Sequence, residues 1–114
     1  MTTGGIPKAP AHLREGTRKW WRQVSSTYML EPHHYRLLTL LCEAWDRCQE
    51  AREALAEHGS LTFLDRFGSP HTRPEVGIER DNKIIFSRLL RELDLDTSPP
   101  AGPHRPPGLR SNRG

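Results

Sequence analysis

The chain has 114 residues, a net charge of +3, 34% hydrophobic residues and two cysteines. That length is one domain by the usual prior, and with no apolar run near a membrane span and no signal-peptide-like hydrophobic stretch, a soluble intracellular protein is expected. Cys42 and Cys48 would lie about 9 Å apart along a helix at 1.5 Å per residue, which excludes a disulfide and reads as two buried thiols in a reducing compartment.

In chain order, residues 1–9 are rich in Gly, Pro and Thr and poor in large apolar side chains, so a flexible N-terminus is expected. The first predicted helix runs from about Ala11 to Tyr28, with Leu13, Thr17, Trp20, Trp21, Val24 and Tyr28 along one side. Gly16 weakens it by up to about 1 kcal/mol relative to Ala. Arg14, Arg18 and Arg22 recur at i, i+4 and i+8 on the other side, with Lys19 beside them. Cations at that spacing can meet successive phosphates, so these four are candidate DNA-binding residues. A solvated helix face is the plainer reading of the same pattern. Trp20 and Trp21 point about 100° apart on a helix, so one belongs to a core and the other is free to anchor an interface.

The second predicted helix, from Pro32 to just before Gly59, organises the chain. Proline suits a first helical turn and glycine the left-handed position after the last. His34, Leu38, Leu41, Trp45, Cys48, Arg52 and Leu55 form one stripe, and Leu37, Leu40, Ala44 and Ala51 a flanking one. Trp45, in the middle of the first stripe, is expected to be buried core. Two apolar stripes need cover from more than one side. This points to oligomerisation, with Trp21, Leu37, Leu40 and Ala44 as candidate interface residues. The short Met29–Glu31 connection makes the two helices antiparallel neighbours.

After Gly59, Leu61–Leu64 is short and apolar, and Asp65–Pro70 carries turn formers, which reads as a small hairpin or a pair of extended arms. Arg66 and Arg73 beside that turn form a second candidate DNA surface. Pro74 opens a third helix whose Val76, Ile84, Ile85, Leu89 and Leu93 share a broad stripe, with Phe86 and Leu90 beside it. The fold class is therefore mainly α: a small domain over residues 10–96, built on an antiparallel helical hairpin with a short extended or β-hairpin excursion and a third helix. Residues 97–114 are Pro- and Arg-rich and expected to be disordered, with Arg105, Arg110 and Arg113 able to add non-specific DNA contacts.

Enzymatic chemistry finds little footing. The adjacent His33 and His34 diverge on a helix, and no His, Cys or acid recurs at a ligand spacing that names a metal site. There is no P-loop, dinucleotide fingerprint or nucleophile elbow. Glu75 and Glu79 read better as a solvated face than as paired catalytic carboxylates. His71 with Asp65, Asn82 and Arg73 leaves a small helical nuclease as a remote alternative. No cofactor, metal or small-molecule substrate is expected.

The order of features resembles the phage terminase small subunit family, in the branch common in phages of actinobacteria. It is carried by Pro10 and Leu13 opening a helix with Trp20; Leu30; Leu37-Leu38, Leu41-Cys42 and Trp45-Asp46-Arg47; Gly59; Asp65-Arg66-Phe67-Gly68; Pro74; and Arg88-Leu89-Leu90-Arg91-Glu92-Leu93-Asp94-Leu95. Asp94 stands where the family usually has Gly, and Asp96-Thr97-Ser98-Pro99 follows where Thr-Pro is usual. The resemblance implies a non-enzymatic packaging factor of the host cytoplasm. Such subunits form homo-oligomers, often rings, bind double-stranded viral DNA and deliver it to the large terminase subunit, which holds the ATPase and nuclease. The competing reading is a helical protein-interaction adaptor without direct DNA contact.

Overall fold

A computed structural model describes residues 7–95. They form α1 (Glu15–Thr27), α2 (Pro32–His58), a two-stranded antiparallel sheet of β1 (Thr62–Leu64) and β2 (Pro70–Thr72), and α3 (Pro74–Leu93). The fold is mainly α, as the sequence predicts. The predicted N-terminal boundary was four residues early. Leu13 N–H donates to Pro10 O at 3.3 Å in a turn that buries Leu13, and Arg14 stays extended as the N-cap.

Both ends of α2 follow local chemistry. Pro32 occupies the first turn, and a capping box joins Glu31 and His34, with Glu31 N–H donating to His34 Nδ1 at 2.9 Å. Gly59 closes the helix in the left-handed region at φ 77. In the hairpin, Phe63 pairs with His71 and Leu64 with Pro70. Pro74 opens α3, and Asp94 ends it at φ 52, the only described non-glycine residue with positive φ. A side chain in that region strains the backbone, and glycine is free of that strain. Asp94→Gly is therefore expected to raise stability by about 0.5–1 kcal/mol. A urea melt should show the midpoint rise with an unchanged slope; a fall would mean that the Asp94 side chain offsets its own strain.

Three helices run side by side in alternating directions. Near its start, α1 meets α2 at Asp46 and Glu53, and later at Tyr35 and Thr39, so the two are antiparallel. Along α3 the same alternation holds. Cys48 Sγ reaches Glu79 O at 3.8 Å, and the Trp45 and Phe86 rings lie 5.3 Å apart. Leu93 then joins Leu13, Trp21, Val24, Leu38, Leu41 and Cys42 in the core. The core thus sits at the α1 end of the molecule, and α2, α3 and the hairpin extend away from it.

Three expectations about side chains are corrected. Trp45 is 44% exposed rather than buried, its ring tilted 50° against that of Phe86. Trp21, expected at an interface, is 2% exposed inside its own chain. Ala44, also expected at an interface, is 4% exposed; it lies one turn before Cys48 on the side that α3 covers. Trp21 is buried because it faces Tyr35 and Thr39 of α2. Trp45 lies in the groove that α1 and α3 leave open over α2, where Trp20 and Phe86 line the two sides, whereas Cys48 and Ala51 further along the same helix are buried. Of the other candidate interface residues, Leu37 is half-buried against the core and Leu40 is exposed. On α3 only Leu93 is buried, while Ile78, Ile84, Ile85 and Leu90 remain exposed.

Both thiols are buried and free. Burial, with the charges of Asp46 and Glu43 adding, pushes the Cys42 thiol up to about 12.

Candidate nucleic-acid interface

The N-cap of α1 is supplied from another helix. Arg14 has no side-chain cap of its own. Its backbone N–H donates to Asp46 Oδ2 at 2.9 Å, and Thr17 Oγ1–H donates to Asp46 Oδ1 at 2.5 Å. A buried carboxylate at a helix N-terminus meets both unpaired donors and the positive end of the helix dipole. This bond sets the rotation of α1 on α2, and so decides which way the basic residues of α1 face.

The three arginines of the predicted stripe do not act alike. Arg14 Nη2 donates to Glu53 Oε2 at 2.7 Å, and that bond and charge raise its pKa. Both partners are well exposed, so the pair contributes little to stability and a polyanion can compete with Glu53 for the guanidinium. Arg18 turns back, its Nη1 donating to the carbonyls of Ala11 and Leu13. This pins the segment before α1 against the outer face of the helix. Arg22 is exposed and makes no ion pair among the described residues, and the same holds for Lys19.

The pinned segment brings in a residue that sequence reasoning missed. Lys8 joins Arg18 and Arg22 around a shallow depression of about 940 Å³ floored by Pro7, Ala9, Ala11 and Ser26. No carboxylate lines it. Lys8 has no helical periodicity with α1, so only the fold-back signalled by Pro7 and Pro10 could have suggested it. A concave surface whose charged residues are all cations suits phosphates better than base edges.

At the hairpin, the other candidate arginines are held by aromatic rings. Arg66 lies over Phe67 at 5.0 Å and Arg73 over Phe63 at 5.7 Å. Arg73 Nε–H also donates to Ser60 O at 2.9 Å. Asp65 fixes the turn by accepting the N–H groups of Phe67 and Ser69. His71 Nε2 lies 2.8 Å from Asp65 Oδ2, and this bond, then the backbone N–H of Ser69, holds the Asp65 carboxyl below its ordinary range. The turn's extra stability is therefore present above the ordinary carboxylate pKa and is lost as pH falls through the depressed one. His71 and Asp65 thus serve the turn. Glu79 is likewise structural, bridging Arg52 and Lys83 at 3.2 and 3.3 Å. Arg105, Arg110 and Arg113 lie outside the described residues.

A family model described as phage terminase, small subunit, matches residues 17–101. The chain belongs to this family. No curated protein and no solved structure matches it. The span matched to the small subunit begins at Thr17, the residue that holds Asp46. It takes in Arg18, Lys19, Arg22, Arg66 and Arg73, while Lys8 and Arg14 precede it. Within this small-subunit chain, the basic depression therefore joins two residues of the family span to one from outside it. Among the described residues, no helix is long and apolar enough to cross a membrane.

Proposed function

We propose that this small subunit is a non-catalytic viral genome-packaging factor of the host cytoplasm, which binds double-stranded phage DNA as a homo-oligomer and presents it to the large terminase subunit. The carboxylate-free depression of Lys8, Arg18 and Arg22 on the outer face of α1 supports this most directly. Arg14, Lys19 and the arginines of the hairpin and of the tail are secondary contacts. Binding rests on phosphates, so it is tolerant of sequence and steep in salt. The bare apolar side chains of α2 and α3, among them Leu40, Ile78, Ile84 and Ile85, favour an oligomer, with a ring as its form.

The test replaces Lys8, Lys19 and Arg22 with Gln and leaves the Arg18 and Arg14 bonds intact. Affinity should fall on all DNA sequences alike, and the log–log salt slope should flatten by about 0.9 for each phosphate no longer neutralised. Light scattering should give the same mass for variant and wild type. Unchanged affinity and slope would move DNA off this face, and a wild-type chain with no DNA affinity would leave the adaptor reading. A monomer at tens of micromolar, by order of magnitude, would remove the oligomer from the proposal.

A further inference from the structure

The groove between the three helices is separate from the basic depression on the outer face of α1. It measures about 540 Å³, and its apolar wall is Trp20 of α1, Trp45 of α2 and Phe86 of α3. Trp45 leaves 44% of its surface bare there, a large cost for an indole in water. At one end the wall gives way to the Arg14–Glu53 pair. Arg14 uses Glu53 Oε2, and no described bond occupies Oε1. Flat aromatic faces ending in a carboxylate match the requirements of a polyproline II segment carrying a cation: proline rings pack on the indoles, and an arginine reaches the acid.

The chain carries such a segment. Pro100-Ala101-Gly102-Pro103 and Pro103-His104-Arg105-Pro106 are overlapping P-x-x-P repeats, followed by Pro107. Beyond Asp96 every formal side-chain charge is an arginine, while the exposed carboxylate in the groove is that of Glu53, Asp46 being buried with both oxygens bonded. The reach is sufficient. Leu95, the last described residue, packs on the same core cluster as Trp20, and the stretch from Leu95 to Pro103 spans about 25 Å in polyproline II geometry. We propose that this groove is a docking site for the chain's own Pro/Arg segment, residues 100–107, with the prolines on Trp20 and Trp45 and Arg105 at Glu53. Docking covers the exposed indole and withholds Arg105 from DNA, so the groove and the polyanion compete for one segment.

The full chain tests this. The native thiols are buried, so Ser111→Cys takes a nitroxide selectively. The same chains carry ¹⁵N, diluted in a large excess of unlabelled wild type. The expected result is broadening of the Trp20 and Trp45 indole N–H signals, with Gly68 of the distant hairpin left sharp. That broadening should disappear when Pro103, Arg105, Pro106 and Pro107 are all replaced by Ser. The absence of broadening overturns the proposal. Broadening that vanishes on dilution overturns it in favour of a neighbouring copy's tail. Broadening that survives the four substitutions overturns the assigned recognition.

Discussion

Trp21→Ala is expected to destabilise the protein by about 3–5 kcal/mol, as large aromatic truncations in cores do. Trp21 is the largest of the fully buried side chains. Its ring lies 5.7 Å from that of Tyr35, and its indole N–H donates to Thr39 Oγ1 at 3.3 Å. It belongs to one core cluster with Leu13 and Val24, Leu38 and Leu41, and Leu93. Those residues come from all three helices and the turn before α1, so the cavity would open where every element meets. A domain of this size has only about 5–15 kcal/mol in total, and the variant should be marginally folded. Trp45→Ala, at a half-bare indole touching Phe86, should cost about 1 kcal/mol. Denaturant melts at one fixed protein concentration compare the two. A larger loss at Trp45 than at Trp21 would show that an intermolecular contact, rather than the core, dominates the stability being measured.

Asp46→Ala should cost about 2–4 kcal/mol, since it leaves buried donors unpaired and removes the negative charge at a helix start. Asp46 is 2% exposed, and its two oxygens hold Arg14 N–H and Thr17 Oγ1–H. The damage should be local first. Hydrogen exchange should show α1 losing protection while the hairpin keeps its own, because Asp46 alone caps α1 and nothing in β1 or β2 depends on it. Asp46→Asn keeps one acceptor oxygen and should cost roughly half as much. The Asp46→Ala variant should also weaken DNA binding although Asp46 touches no phosphate, since the rotation of α1 presents Arg18 and Arg22. Retained α1 protection in Asp46→Ala would move the control of α1 to the Trp21 contacts.

How far the sequence could be read depended on the range of the interactions involved. The limits of α2 were legible because Pro32, the Glu31–His34 box and Gly59 act within one turn of the chain. The hairpin was legible because Asp65 and Gly68 set its turn through neighbours. Helix α1 began later than periodicity predicts, because the competing bond to Arg14 comes from Asp46 on another helix. The resemblance was legible for the same reason as the caps: it rests on punctuating and apolar residues in order.

Local chemistry therefore determined the helices, the turn between the strands and the composition of a basic first segment. Only the tertiary structure decided the partners of that segment. Arg14, Arg18 and Arg22 are equivalent in a helical projection. In three dimensions one meets Glu53, one turns back to Ala11 and Leu13, and one lies beside Lys8 with no ion pair among the described residues. Adjacent Trp20 and Trp21 and mid-stripe Trp45 were likewise interchangeable as apolar residues, and which of them is buried followed from how the helices pack: Trp21 faces Tyr35 and Thr39 of α2, while Trp20 and Trp45 line the groove between the helices. A stripe records that a face is apolar. How much of it is covered depends on the length and placement of the neighbour, which no single helix encodes.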